Sequence, residues 1–224
     1  RLLSGSHAAA VVNGVLHVWD LPAAKLVYRV EKVSAREPPV FSGNQLIMAI
    51  PQSGRVVLVE TASGTIRRSI PTGSTLTPGA AFNPSGRLLA ICVSNQYLVW
   101  DCVADKAVSQ ATTTEHLGSH PIHWIAPKMF RAALGDAVHV GLGMSVWKYT
   151  ASLCTEPILV GNMLLTATTS TMCSVACVAI PHASAMKSVD RLEHAGDAAM
   201  LVRPGSAVAV AVDTTEQVDR AAIQ

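Results

Sequence analysis

The sequence predicts an all-β protein assembled from small repeated sheets, and three observations carry this prediction. Apolar runs of about four to eight residues alternate with turn signals at even spacing, which is typical of antiparallel strands. The chain of 224 residues is 50% hydrophobic and only 14% charged, so most of it must be buried and disorder is excluded. Helix signals are confined to one short stretch near the C-terminus.

The order of the strands follows from an internal repeat. Val18, Trp19 and Asp20 recur as Val99, Trp100 and Asp101, and Val59 with Glu60 lies midway between them. Each of these sites ends a short apolar strand and is followed by a turn and another strand. A period of about 40 residues therefore predicts sheets of four strands each. A fourth unit is predicted at residues 145–149, and a fifth ends near residues 178–180.

The turns between the strands carry residues suited to tight reversals. Asn13 followed by Gly14 predicts a two-residue hairpin loop, and Ser53 with Gly54 marks a similar reversal. Residues 83–86, with the sequence Asn-Pro-Ser-Gly, predict another turn. The one helix is expected at residues 183–192, with Ser184 as its cap.

The segment at residues 81–90, continuing through Val99, Trp100 and Asp101, resembles the WD-repeat family of β-propellers. The resemblance covers residues 1–111 well and weakens beyond them. It implies stacked four-stranded blades, with residues 1–7 as the second strand of a preceding blade. The family's usual Gly-His near each blade start and its usual Asp between the second and third strands are missing. The repeats are therefore degenerate, and no binding residue is carried over from the family.

Five residues are assigned structural roles in the blades. The indole rings of Trp19, Trp100 and Trp147 are expected to pack between neighbouring sheets, because large aromatic side chains supply much buried area. The carboxylates of Asp20 and Asp101 are expected to cap the tight turns that follow them.

The domain prediction is one WD-like propeller domain or fragment over residues 1–224, with units ending near residues 30, 70, 111, 157 and 212. About five blades are fewer than an ordinary ring contains, so an incomplete ring or fragment is favoured. Residues 207–212, an alternation of Ala and Val, are expected to form a last buried strand. Uncovered sheet edges and an apolar blade face would require a partner or a further segment.

Residues 157–186 contain no Asp, Glu, Lys or Arg, a gap long enough to cross a bilayer. Threonine and serine crowd its middle, however, and β-branched and polar residues suit strands better than an apolar helix. We therefore expect strands at residues 158–165 and 172–180 around a Thr/Ser turn, and no membrane span.

Candidate metal and thiol sites favour structural explanations. His116, His120 and His123 could bind zinc together with Cys102 or Cys154, but Gly118 and Pro121 interrupt the run, and loop or strand-edge histidines are the preferred interpretation. The five cysteines are too few and too scattered for a disulfide framework. Reduced, core-filling thiols are expected, including Cys173 and Cys177.

Residues that could suggest catalysis or cofactor binding are likewise assigned structural roles. Asp190, Glu193 and Asp197 are expected to form a solvated helix face rather than a catalytic carboxylate pair. Gly141 and Gly143 are expected at a bend or bulge within a strand, because no strand-loop-helix unit surrounds them. No catalytic, cofactor-binding or metal-binding residue is predicted, and scattered basic residues without interleaved aromatic side chains give no support for nucleic-acid binding.

Two functions remain open. The first is a non-catalytic interaction scaffold whose propeller loops present a rigid surface to a protein or peptide partner, without a cofactor. The alternative is an enzyme or small-ligand-binding propeller with its site in the central channel, which would require polar side chains converging there. Oligomeric state is not predicted. Odd, scattered cysteines and the absence of a visible signal peptide favour a cytoplasmic location, although the compartment stays open because the chain begins at Arg1.

Overall fold

The computed structural model describes residues 7–33, 39–113, 116–118, 121–149, 158–169 and 173–199. This part of the chain forms eighteen strands in five antiparallel sheets, followed by one helix. Within each sheet the strands follow one another in chain order as a meander. The sheets stack face to face as blades, which confirms the prediction of an all-β, incomplete propeller.

The blades are numbered in chain order. Blade 1 contains β1 (His7–Val12), β2 (Val15–Asp20) and β3 (Lys25–Val30). Blade 2 contains β4 (Val40–Phe41), β5 (Ile47–Gln52), β6 (Arg55–Glu60) and β7 (Ile66–Pro71). Blade 3 contains β8 (Gly79–Phe82), β9 (Leu88–Val93), β10 (Gln96–Asp101) and β11 (Lys106–Thr112). Blade 4 contains β12 (His123–Ala126), β13 (Met129–Arg131), β14 (Asp136–His139) and β15 (Met144–Lys148). Blade 5 contains β16 (Ile158–Val160), β17 (Met163–Thr169) and β18 (Cys173–Ala179), and α1 (Ala183–Ala199) follows it.

The middle strands of blades 2, 3 and 4 bury both faces, because each of these blades packs between two neighbouring blades. On β5, Met48 and Ile50 contact blade 1 in one buried cluster, whereas Ala49 between them belongs to the cluster shared with blade 3. Alternate side chains of a strand point to opposite faces, so the apolar sequence supplies both clusters at once. Two further clusters join blade 3 to blade 4, and blade 4 to blade 5 with α1. The low charge of the chain follows from this stacking.

The hairpin predictions are confirmed at their turns. Asn13 and Gly14 separate the paired residues Val12 and Val15 and have φ angles of 50° and 75°, as a type I′ turn requires. Ser53 and Gly54 also form a two-residue loop, between the paired residues Gln52 and Arg55, but only Gly54 has a positive φ angle, of 77°. In the longer turn between β8 and β9, the Asn83 side-chain oxygen accepts a hydrogen bond from the Leu88 backbone N–H at 3.0 Å.

The third strands of blades 2, 3 and 4 (β6, β10 and β14) and the equivalent strand of blade 1 (β2) end in one repeated geometry. A bulge interrupts the pairing of each with the outermost strand, and a four-residue turn follows whose last residue has a positive φ angle. The final residues of these third strands are Asp20, Glu60, Asp101 and His139. In blade 4, the residues equivalent to Trp100 and Asp101 are therefore Val138 and His139.

The fourth unit was predicted at residues 145–149, and this register is wrong. Trp147 lies in the outermost strand β15, whereas Trp19 and Trp100 lie in third strands next to the outermost one. The Trp147 indole was a misleading marker of the repeat. The position equivalent to Trp100 in blade 4 is Val138, whose apolar side chain is fully buried.

Blade 5 differs from its prediction in strand bounds. The run expected as one strand at residues 158–165 is a hairpin, β16 and β17, that reverses at Gly161 and Asn162. The second expected strand is β18. No helix within the described residues is long and apolar enough to cross a membrane.

Helix α1 is longer than predicted, and its cap is different. His182, directly before the helix, accepts a hydrogen bond from the Ser184 backbone N–H through Nδ1 at 3.2 Å. His182 therefore caps the helix in the way expected of Ser184.

Several sequence predictions fall outside the described residues. They concern residues 1–6 of the first expected strand, His120, Cys154 and the apolar strand at residues 207–212. The strands of the first three blades end at Val30, Pro71 and Thr112, next to the expected unit ends at 30, 70 and 111. The expected ends at residues 157 and 212 are also outside the described part of the chain.

Candidate functional site

The turn carboxylates lie where the blades reverse at the ends of their third strands. Asp101 accepts hydrogen bonds through Oδ1 from the backbone N–H groups of Val103 and Ala104, each at 2.9 Å. Its Oδ2 pairs with the Arg87 guanidinium at 2.7 Å. These contacts, led by the Arg87 hydrogen bond, lower the pKa of Asp101 to about 2. Asp20 makes one equivalent contact, in which its Oδ1 accepts the Ala23 N–H at 3.2 Å.

The three tryptophans assigned to the blades have different surroundings. The ring of Trp19 stacks on His17 at 5.5 Å, and Trp147 stacks on His182 at 5.6 Å. Trp100 packs in the cluster between blades 2 and 3, with the Arg68 guanidinium 5.5 Å from its ring centroid. The structure therefore distributes these residues over separate blades and does not bring them into one site.

Trp124, which the sequence analysis did not single out, joins two blades directly. Its ring lies in the buried cluster between blades 3 and 4, and its Nε1 donates a hydrogen bond to the Ala81 carbonyl at 2.9 Å. A buried indole N–H needs such a partner. The only sequence signal was an indole beside apolar residues at the start of a blade.

A cleft of about 340 Å³ opens between blade 2 and blade 3, and it is our candidate functional site. Cross-strand pairing places two rows of side chains on the face of blade 3 that looks toward blade 2. One row is Ile91, Leu98 and Gln110, and the other is Val93, Gln96 and Thr112. These rows form the floor of the cleft.

The wall of the cleft comes from blade 2. Strand β7 ends at Pro71, and the chain continues through Thr72 and Gly73 along the cleft before it enters blade 3. Gly73 has a φ angle of 71°, in the left-handed region, which lets the chain turn here. Pro71, Thr72 and Gly73 thus form the side of the cleft that faces the strands of blade 3.

The chemistry of the cleft is neutral. No Asp, Glu, His, Lys or Arg is among its lining residues. Tyr97 is the one titratable residue among them, but its ring packs on the opposite face of blade 3, against Phe130 in the buried cluster shared with blade 4. Burial raises the pKa of Tyr97 above its ordinary value, so the phenol stays protonated near neutral pH. Aliphatic side chains are flanked by the carboxamides of Gln96 and Gln110, which can donate and accept hydrogen bonds. This lining suits recognition of an uncharged group better than proton transfer.

The histidine and cysteine predictions have mixed outcomes. His116 is exposed and its Nδ1 accepts a hydrogen bond from the Gly118 N–H at 3.1 Å, whereas His123 lies in the inner strand β12. No group of three His, Cys, Asp or Glu side chains close enough to hold a metal ion occurs among the described residues. Cys92 is buried, but Cys177 is exposed, so its assignment to the core is wrong.

Two further expectations about polar groups and glycines need correction. Glu193 is not merely solvated, because its Oε1 lies 3.6 Å from His139 Nε2 and 3.8 Å from Lys128 Nζ. Asp190 is exposed, as expected. Gly141 and Gly143 lie in the four-residue turn between β14 and β15 rather than in a bulge within a strand.

A buried charge lies in blade 4, away from the cleft. The Arg131 side chain is fully buried, and none of its guanidinium nitrogens has a hydrogen-bond partner among the described residues. Burial lowers the pKa of this guanidinium, while the charge of Asp136 in the same blade opposes the shift.

Comparison with known proteins supports the fold. No protein-family model matches the sequence, and no curated protein matches it. Among solved structures, the chain is similar to BamB from Moraxella catarrhalis, a β-propeller, with a TM-score of 0.57 and 14% sequence identity. The similarity covers 80% of this chain and 59% of that structure, so the chain spans about three fifths of that propeller's length. At this identity the similarity establishes a shared fold.

Proposed function

We propose that this protein is a non-catalytic propeller scaffold that binds a protein or peptide partner. The observation that carries the proposal is the neutral cleft between blades 2 and 3, with its aliphatic floor and flanking carboxamides. Such a lining offers shape, apolar contact and hydrogen bonds without a group suited to acid-base or nucleophilic catalysis. The similarity to BamB is consistent with the proposal through the fold alone.

The rigidity of the blades supports the same proposal. Buried clusters join each blade to the next, so the strands that form the floor of the cleft are held in packed sheets. A preformed site loses little entropy when it binds. The WD-like character of the repeats belongs to the proposal too, and it is supported by the Trp-Asp pairs that end β2 and β10.

The alternative site in the central channel receives less support. The inner strands β4, β8 and β12 are mostly aliphatic and aromatic, and His123 is the one titratable side chain on them. A channel that binds a small polar ligand or catalyses a reaction would need several polar side chains converging there. The inner-strand composition therefore favours the scaffold.

Site-specific photo-crosslinking in cells tests the proposal. A benzophenone amino acid is placed at Gln110, on the cleft floor, and in a matched variant at Val27, which is exposed on the outermost strand of blade 1. We expect illumination to give a discrete protein adduct from position 110 and none of that size from position 27. Equal adduct patterns from both positions, or no adduct at position 110, would contradict the proposal.

A further inference from the structure

One position in the sheets is equivalent in the first four blades and faces the following blade each time. In blade 3 this position is Ala90 of β9, which pairs with Val99, the residue directly before Trp100. Its equivalents, found by the same pairing in β1, β5 and β13, are Ala9, Ala49 and Arg131. The three alanines are buried in the clusters that join their own blade to the next. Blade 4 therefore carries a large cation where the three preceding blades carry the side chain of alanine.

The Arg131 side chain lies on the side of blade 4 that faces blade 5. Met129, two residues earlier on β13, and Ala137, its partner on β14, both belong to the cluster that joins blades 4 and 5. Arg131 is fully buried, and none of its three guanidinium nitrogens has a hydrogen-bond partner among the described residues. A buried cation without a partner strongly destabilises a folded protein. This guanidinium therefore calls for an anion beside it.

Asp136 acts on Arg131 through its charge but does not pair with it. Side chains alternate along a strand, and Val138 belongs to the cluster shared with blade 3, so Asp136, two residues before it, lies on the blade 3 side of the sheet. Asp136 accepts the Ser145 hydroxyl through Oδ1 at 3.1 Å, and its Oδ2 lies 3.9 Å from Lys148 Nζ. Two cations, Arg131 and Lys148, thus share one carboxylate, which leaves an excess of positive charge.

Tyr149 supplies a further hydrogen-bond donor on the blade 5 side. It belongs to the same buried cluster, and its hydroxyl oxygen accepts the His182 N–H at 2.7 Å. A phenol that accepts one hydrogen bond still has its own proton to donate. Burial raises the pKa of Tyr149, so the phenol is protonated at neutral pH, while the charge of Arg131 acts in the opposite direction. This mutual effect indicates that the guanidinium and the phenol lie near each other.

We propose that Arg131 and Tyr149 bind a chloride ion between blades 4 and 5. A single negative charge neutralises the guanidinium and accepts hydrogen bonds from its N–H groups and from the phenol O–H. A monatomic ion needs less room in a packed interface than an oxyanion does. The carboxylate of a protein partner would reach this fully buried guanidinium only if the blades separated. The ion is therefore enclosed as the blades pack, and the site is independent of the cleft between blades 2 and 3.

Thermal unfolding of the full chain, followed by tryptophan fluorescence, tests this inference. Chloride replaces methanesulfonate at constant ionic strength, so that general screening stays the same. A ligand that binds only the folded state raises the midpoint with its concentration, and we expect a rise of at least about 3 °C between about 5 mM and about 200 mM chloride. Arg131→Met keeps a long side chain without the charge and should abolish this rise. The matched control is Arg29→Met, which removes an exposed cation from the outermost strand of blade 1 and should retain it.

Bromide, which replaces chloride and scatters anomalously, locates the ion directly. Crystals grown in bromide should show an anomalous peak between Arg131 and Tyr149. If Arg131→Met does not fold, Tyr149→Phe provides the second variant, because it keeps the ring and removes the O–H donor, and it should reduce the rise in midpoint with chloride.

Three results would overturn the inference. An equal rise in wild type and Arg131→Met would identify a general salt effect. A wild-type midpoint that does not respond to chloride would show that the guanidinium is neutralised in another way. Bromide peaks confined to the protein surface would place any bound halide away from Arg131.

Discussion

His139 in blade 4 occupies the position of Asp101 in blade 3, and each accepts a backbone N–H from the residue three positions further along. The Leu142 N–H reaches His139 Nδ1 at 3.2 Å, and the Ala104 N–H reaches Asp101 Oδ1 at 2.9 Å. An imidazole thus replaces a carboxylate as the acceptor that closes the turn. Because Nδ1 accepts, the ring proton lies on Nε2, which faces Glu193.

The His139 turn should be sensitive to mild acid. Burial lowers the pKa of His139 below its ordinary value, although Glu193 opposes the shift. The unfolded chain therefore binds a proton more readily, and the stability from neutral His139 is present above pH of about 6.5 and is lost as the pH falls toward the lower folded pKa. Urea denaturation should show that His139→Asn, which keeps a neutral acceptor, loses less stability than the wild type between pH 8 and pH 5.5. A loss equal to that of the wild type would contradict this assignment.

Asp101 should contribute stability that disappears in stronger acid. Asp101→Asn weakens the Arg87 pair and the turn hydrogen bonds, so we expect a loss of about 1–3 kcal/mol in the free energy of unfolding at pH 7. Since the folded pKa of about 2 is below the ordinary value of 3.8, the difference between the two proteins should shrink as the pH falls through this interval. Asp105→Asn, on the same turn but exposed, is the control and should change stability by less than about 0.5 kcal/mol. A difference that persists unchanged at pH 2 would be inconsistent with this prediction.

Trp124 should be a stronger link between blades than Trp147. Trp124→Phe removes the donor to Ala81 and leaves a buried carbonyl without its partner, which should cost about 1–3 kcal/mol. Trp147→Phe retains an aromatic ring against His182, so it should cost less. Chemical denaturation of both variants measures the difference, and a larger loss for Trp147→Phe would refute the ranking.

Gly135 is required by packing as well as by its backbone angle. It has a φ angle of 101°, and a Cβ there would collide with the Tyr149 carbonyl oxygen. Gly161 also has a positive φ, of 60°, but a Cβ there would meet no atom within 4 Å. We expect Gly135→Ala to destabilise the protein by more than about 3 kcal/mol and Gly161→Ala by about 1 kcal/mol. Similar thermal midpoints for the two variants would show that the Tyr149 contact yields easily.

Part of the candidate site was accessible from sequence. The strand containing Gln96 and Leu98 precedes a Trp-Asp pair, so its place as a third strand could be predicted. The cleft could not, because it forms where Pro71, Thr72 and Gly73 of one blade face the strands of the next. Residues about 20 to 40 positions apart meet there through blade stacking, which local periodicity does not encode.

The register of the repeat in blade 4 could likewise be found only in part from the sequence. Trp147 stood out by residue type, whereas the equivalent positions are a buried valine and a histidine that closes a turn. Different side chains can occupy the same backbone geometry. Matching residue types therefore identified the repeat correctly in two blades and placed it in the wrong strand of a third. The spacing of the repeats and the four-residue turn that ends at Gly143 were the more reliable signals.

The sequence by itself determined which segments form strands, how long these strands are and that both of their faces are buried. Apolar residue patterns and Asn-Gly or Ser-Gly turns act over a few neighbouring residues, so they can be recognised locally. The sequence also determined that the chain would be an incomplete propeller of about five blades. Only the tertiary structure decided where the cleft between blades 2 and 3 opens, that Trp124 joins two blades, and that His139 closes a turn. These features depend on contacts between residues far apart in the chain, whose geometry is set by the stacking of whole sheets.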